Sequence, residues 1–165
     1  MATYNTEDYS IGAKVRVTAD QPQWRQFTHK LPPGTAYASA DRINLCKMGD
    51  DHQIIAYRVG TNASIAATTG NSHIWVNSDA DGTAGDDNIT GNIADFGGAG
   101  ATVAGYTSVD HSTTNGGDCF LTLGTLGTAV SSGERAITVS LLVARKEAAA
   151  SVNGVHITYS SEYPL

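Results

Sequence analysis

Between Arg135 and Arg145 apolar and polar positions alternate: Ile137, Val139, Leu141 and Val143 fall on one side, and Ala136, Thr138, Ser140, Leu142 and Ala144 on the other. A period of two marks a strand with one buried face, so this stretch predicts a long β-strand. Shorter stretches of the same kind run over Arg42 to Met48, Gln53 to Val59, Ser72 to Asn77, Ala101 to Thr107, Cys119 to Leu123 and Val155 to Tyr159, each bounded by Gly, Asn, Asp or Ser. Helical periodicity is nearly absent, with one candidate turn at Lys146 to Ala150. Such strands with Gly-rich connections predict an all-β fold, an antiparallel sandwich or barrel rather than alternating βαβ units.

Two regions break the pattern. In residues 1–40 the apolar positions Ile11 and Val15 to Val17 are followed by Pro22, Pro32, Pro33 and Gly34. Proline lacks an amide donor and biases its predecessor to extended backbone, which argues against a central strand or a helix there. The segment therefore predicts an extended N-terminal arm over 1–40, with one possible strand at Lys14 to Ala19, ahead of a β-sandwich domain over 41–165. Trp24, Phe27, Leu31 and Tyr37 are large apolar groups for an arm without its own core, and they need a surface to cover, on this subunit or on a neighbour. They are the candidate partner-binding residues. The second region, Ser78 to Gly100, is rich in Asp and Gly and predicts an exposed loop or pair of loops.

Composition narrows the functions. A chain of 165 residues fits one domain. Its 10 Lys and Arg against 16 Asp and Glu leave a net charge of −6. The cations are scattered singly, without the basic footprint of a nucleic-acid binder. The start, Met1-Ala2-Thr3-Tyr4-Asn5, lacks the features of a secretory signal, and no apolar run is long enough to cross a bilayer, so the expectation is a soluble protein made in a cytosol, with no membrane partner. Cys46 and Cys119 belong to no CxxC pair and read as two buried thiols in preference to a disulfide or metal site.

Candidate chemistry is thin. Asp79-x-Asp81-Gly82 followed by Gly85-Asp86-Asp87-Asn88 offers hard oxygens for Ca²⁺, but an EF-hand loop starting at Asp79 needs Gly and Glu where this chain has Ala84 and Thr90, so it reads as a solvated acidic turn and no metal is expected. Asp110-His111-Ser112 holds three triad residue types side by side, yet consecutive strand residues point to opposite faces and a triad assembles in space. GxSxG and HExxH are absent, His29, His52, His73 and His156 show no ligand spacing and read as surface or half-buried strand positions, and neither Gly60-Thr61-Asn62 nor Gly97-Gly98-Ala99-Gly100 fits a phosphate-binding loop. The expectation is a non-enzyme without a cofactor. Asn62-Ala63-Ser64 and Asn88-Ile89-Thr90 match the glycosylation triplet as chance does in a Thr- and Ser-rich chain. Trp75, in His73-Ile74-Trp75-Val76, reads as core or interface before it reads as a sugar platform.

The run Asp41-Arg42-Ile43-Asn44-Leu45-Cys46-Lys47-Met48, with Gln53 to Val59 after it, resembles the opening hairpin of small all-β proteins from tailed-phage structural modules, in which a D-x-I-x-L strand leads into a second strand. Ser132 to Leu141 is similar to that group's final long strand. The resemblance covers residues 41–59 and 132–145; Glu147 to Leu165 runs beyond it. It implies a capsid decoration or cement protein with a jelly-roll-like sandwich, a homo-oligomer, commonly a trimer, that binds the major capsid protein on the virion surface and is made in the host cytoplasm. Two other classes compete: a carbohydrate- or receptor-binding module of a phage tail or fibre, reading through Trp75, and an enzyme using His111 or Asp110.

Overall fold

The strand with the clearest alternation is the centre of the protein. In the computed structural model, which describes residues 2–12, 14–17, 21–35, 37–38, 41–49, 52–62, 72–77, 86–93, 96, 102–107, 117–124 and 135–145, strand β10 (Arg135–Arg145) lies between β3 (Gln23–Leu31) and β5 (His52–Thr61), with β8 (Thr102–Tyr106) on the far side of β5. Ile137, Val139, Leu141 and Val143 are buried as the period predicts. The opposing sheet has six strands: β1 (Thr3–Asn5), β4 (Arg42–Met48), β9 (Asp118–Thr122), β6 (His73–Asn77) and β7 (Asp86–Asn88) in that order, with β2 (Lys14–Val15) also on β4. The apolar faces of the two sheets meet in one core that joins Leu141 and Val59 to Ile43, Leu121 and Ile74.

The eight strands from β3 to β10 are nested. β6 pairs β7, β5 pairs β8, β4 pairs β9 and β3 pairs β10, all antiparallel. The four pairs share out between two sheets because β10 also pairs β5 and β9 also pairs β6. Only the short first strands depart from the antiparallel rule, since β1 and β2 both run parallel to β4. A register shift at Asn44/Cys46 resets the pleat of β4, so that Leu45, Cys46 and Met48 are all buried.

The predicted strands at 42–48 and 135–145 appear with the same bounds, and those at 53–59, 72–77, 101–107 and 119–123 differ by a residue or two at an end. Candidate elements at Val155 to Tyr159 and Lys146 to Ala150 lie outside the described residues.

The extended arm is a correction. Every described element of residues 1–40 packs on the sandwich: β1 and β2 cover one edge of β4, and β3 is a nine-residue strand paired with β10 from Arg135 to Val143. The prolines were misleading because β3 is an edge strand, where a ladder needs one partner only and flanking prolines are tolerated. Pro22 precedes it, and Pro32-Pro33-Gly34-Thr35 ends it in a turn closed by the Thr35 amide on the Pro32 carbonyl (3.3 Å), with Gly34 at φ +75°, the value that position of a type II turn requires. The strand expected at Lys14 to Ala19 is confined to Lys14–Val15 among the described residues. Between β1 and β2, a single helical turn, α1 (Glu7–Ser10), is capped by the Thr6 hydroxyl, which accepts from the Tyr9 amide.

The loop predicted at Ser78 to Gly100 is corrected over 86–93 and 96, and the remainder of that range lies outside the described residues. It contains β7, and Ile89, Ile93 and Phe96 are fully buried. These three large apolar groups hold the described part of a Gly- and Asp-rich segment on the core.

Asp41, the acid of the D-x-I-x-L motif, has a structural role. Its buried carboxylate accepts the Ala2 amide (2.6 Å) and the Ala38 amide (2.9 Å), tying β1 and the approach to β4 together.

Candidate interaction surface

The four-stranded sheet turns a second face outward, and the register defines its rows. Trp24 of β3 stands opposite Leu142 of β10, Leu142 opposite Ala56 of β5, and Ala56 opposite Tyr106 of β8. This row crosses the sheet from one edge strand to the other. Beside it run Gln26, Ser140, Arg58 and Ala104, and then Thr28, Thr138, Gly60 and Thr102. Their side chains point away from the core because Phe27, Leu141, Tyr57 and Val59, one position on, point into it.

The two ends of the first row are open. Trp24 is 44% exposed and Tyr106 82%. The Arg58 guanidinium lies 4.6 Å from the Trp24 ring centroid, so these two side chains together bridge β10 between β3 and β5. On the inward side of β8, Gly105 leaves room for Tyr57, since a Cβ there would come within 2.7 Å of the Tyr57 hydroxyl. Over these three rows the surface is mostly small neutral groups, with an aromatic at each edge and Arg58 as their cation; Lys30, the next outward position of β3, is a further exposed cation. Such a surface suits contact with another macromolecule, since interface centres are depleted in charge and enriched in aromatics.

Of the four side chains predicted to meet a partner, the structure presents Trp24 and withdraws the others. Phe27 (3% exposed), Leu31 and Tyr37 (1% exposed) are core residues of this chain. A side chain so enclosed offers a partner nothing without unfolding its surroundings. The inward phase of β3 carries Phe27, His29 and Leu31 in alternation. His29 Nε2 and the Tyr37 hydroxyl are 3.1 Å apart, and the Tyr4 ring lies 4.8 Å from that of Tyr37 and 5.5 Å from the imidazole. Burial pushes the Tyr37 phenol up and the His29 imidazole down, the latter opposed by a hydrogen bond at the Asn5 backbone. His29 and His52 are thus more enclosed than the surface or half-buried positions expected of them; His52 Nε2 accepts the Val17 amide at 2.8 Å.

Tyr106 and Arg58 were not singled out by sequence reasoning. The uncharged run Thr102-Val103-Ala104-Gly105-Tyr106 held the signal for Tyr106, but its two faces are nearly equal in polarity, so alternation does not say which one is outside.

The outer face of the six-stranded sheet is built differently. Trp75 stacks on Phe120 (centroids 6.4 Å apart, planes 9° apart), the Arg42 guanidinium covers Phe120 at 3.5 Å, and His73 meets the edge of Trp75 at 5.7 Å. The Trp75 indole N–H donates to the Thr122 hydroxyl (2.9 Å). Asp118 accepts from the Tyr9 hydroxyl (3.0 Å) and lies 3.7 Å from Arg42. Phe120 is only 3% exposed beneath these neighbours. The sheet has covered its own aromatics.

Cys46 and Cys119 face each other across β4 and β9 as buried free thiols. The Cys119 thiol beside it and burial together push Cys46 well above the ordinary thiol range, which keeps it un-ionised and unreactive. Both asparagines of the glycosylation triplets use the side-chain oxygen on backbone: Asn62 accepts the Ala136 amide at 2.9 Å, and Asn88 accepts those of Thr90 and Gly91. No group of three His, Cys, Asp or Glu among the described residues is placed to hold a metal ion, and no helix there is long and apolar enough to cross a membrane. The Asp79 to Asp81 turn and the Asp110-His111-Ser112 tripeptide lie outside the described residues.

No protein-family model matches the chain. No curated protein matches it either. Among solved structures it is similar to a chain in the capsid of Ralstonia phage GP4, at 13% sequence identity and a TM-score of 0.65, over 89% of this chain and 100% of that one. At that identity the likeness is one of fold.

Proposed function

We propose that this chain is a virion structural protein of a tailed bacteriophage: a decoration or cement protein, not an enzyme, that sits on the capsid surface as a homotrimer, binds the major capsid protein and stabilises its lattice. The observation that carries the reading is a fold likeness that spans the whole of a phage capsid chain and nearly all of this one. Physical reasoning supports it in two ways. The nested pairing of β3 to β10 is what results when one long antiparallel ribbon is folded over on itself, the plan of a jelly roll, and jelly rolls recur in capsid proteins. The open face of the four-stranded sheet supplies a surface for attachment, with Trp24 as its anchor.

Synthesis in the host cytoplasm fits two thiols kept reduced. The alternative, a carbohydrate- or receptor-binding module of a tail or fibre, draws less support, because Trp75 spends one ring face on Phe120 and its N–H on Thr122.

The test is attachment to capsids that lack the protein, measured by co-sedimentation, with the native mass determined in parallel. Wild-type protein sediments with the capsids, and Trp24→Ala weakens attachment by about 2 kcal/mol, roughly thirtyfold in Kd. Wild-type protein that stays in the supernatant overturns the reading.

A further inference from the structure

Charge is segregated in this molecule. The chain is net negative, yet β3, β5, β8 and β10 together contain Arg25, Lys30, Arg58, Arg135 and Arg145 and not one Asp or Glu. Where the edge of that sheet meets β2, a groove of about 440 Å³ runs between the two strands. Lys14 and Arg16 of one segment and Trp24 and Arg25 of the other are among its lining residues, with Asp8 as the acid. Arg25 is held in place by neutral acceptors, the Arg16 carbonyl (3.3 Å) and the Gln23 side-chain oxygen (3.1 Å). Among the described residues no carboxylate lies within ion-pairing distance of Arg16, Arg25 or Arg58.

We infer that this groove receives a short acidic segment of a partner protein, its carboxylates on Arg16 and Arg25 and an apolar side chain on the Trp24 ring; the inference rests on the reading that this chain acts by binding a partner. Guanidiniums with no carboxylate partner among the described residues, beside an exposed indole, match that ligand chemistry, because Arg holds carboxylates in a two-pronged hydrogen bond and Trp supplies the buried anchor. A nucleic acid fits poorly. Its affinity comes from many phosphates neutralised at once, whereas the groove offers few cations and the molecule as a whole repels a long polyanion. A local acidic segment avoids most of that repulsion.

The probe is a fluorescein-labelled peptide of alternating glutamate and leucine, followed by anisotropy at low and high salt, with the lysine–leucine peptide and a short DNA duplex as controls. Saturable binding of the glutamate peptide is expected, weakened by salt, absent for the lysine peptide and the duplex, and reduced about tenfold or more in R16E/R25E. Should that variant lose its native circular dichroism, R16Q/R25Q takes its place with a smaller loss expected. Equal binding by wild type and either folded variant overturns the inference, as does equal affinity for the duplex.

Co-sedimentation with capsids separates this inference from the proposed function. A variant that loses the peptide but still attaches overturns the groove's part in attachment, and attachment itself stands. Wild-type protein that binds the peptide and ignores capsids supports the groove and overturns the virion reading.

Discussion

The two sheets of this sandwich both carry aromatics on their outer faces, and they treat them in opposite ways. On the six-stranded sheet Phe120 is roofed by Arg42, flanked by Trp75 and almost wholly enclosed, and the polar ends of its neighbours are spent on Thr122 and Asp118. On the four-stranded sheet Trp24 has Arg58 over its ring and remains 44% exposed, while Tyr106 stands nearly free. An outward aromatic is therefore not by itself a sign of a partner. What separates the faces is whether the chain has already supplied one. The first seventeen residues lay β1, α1 and β2 against β4, and nothing comparable crosses the open side of β3 or β8 among the described residues.

The largest effect is expected where the face is closed. Phe120→Ala removes a ring packed between a guanidinium and an indole, and should cost about 3 kcal/mol in urea denaturation, near the low end for a buried Phe because one side is roofed by a polar group. A loss below about 1 kcal/mol would mean that the cover is loose and that the contrast between the faces is false.

Asp41→Ala tests how firmly the N-terminal segment is tied to that side. The substitution leaves the Ala2 and Ala38 amides without their charged acceptor. About 2 kcal/mol of stability should be lost, with faster amide exchange over residues 2–6, since hydrogen bonds to a buried carboxylate are among the stronger ones but a chain end can turn to water. Unchanged exchange at those amides would show that β1 is held by its ladder with β4 alone.

A smaller effect is expected at the seam between the sheets, where Tyr4 of one and His29 of the other meet on Tyr37. Burial holds the His29 pKa below its ordinary value, so the unfolded chain takes up a proton more readily than the folded one. Its share of stability is thus full above pH about 6.5 and is lost as pH falls through the lower, folded value. Urea midpoints at neutral and mildly acidic pH should fall further for wild type than for His29→Gln, which keeps a hydrogen-bonding group for Tyr37 and does not titrate. Parallel curves would exclude His29 as the cause.

Most of the body was legible because its strands are long enough for alternation to show. Arg135 to Arg145 carries four buried apolar residues in phase, and no competing period fits them. β3 was hidden for the opposite reason. Its bounding prolines suggested an arm, and its inward row, Phe27, His29 and Leu31, has an imidazole in the middle that looks polar until Tyr37 is seen beside it. β7 was hidden by its length, three residues of Asp and Asn whose placement is decided by Ile89 and Ile93 next to them. The candidate surface was half visible. Trp24, Phe27, Leu31 and Tyr37 were grouped as large apolar residues of one segment, and only exposure separates Trp24 from the other three, because a sequence without a known register cannot say which apolar residues face outward.

The smallest effects on stability are the most informative about function. Tyr106→Ser should change the urea midpoint by no more than about 0.5 kcal/mol, since a side chain 82% exposed has little contact to lose. Trp24→Ala should cost slightly more, because an exposed cation–π pair contributes about 0.5 to 1 kcal/mol, and the cycle with Arg58→Ala measures that share directly. If the coupling is near that size and the remaining cost of Trp24→Ala is close to nothing, the indole is not holding the sandwich together, and its exposure on a face made mostly of small neutral groups is explained by a partner. A cost of several kcal/mol for either residue would instead mean that this chain already covers its four-stranded sheet as it covers the other one, and the distinction between a closed and an open face would disappear.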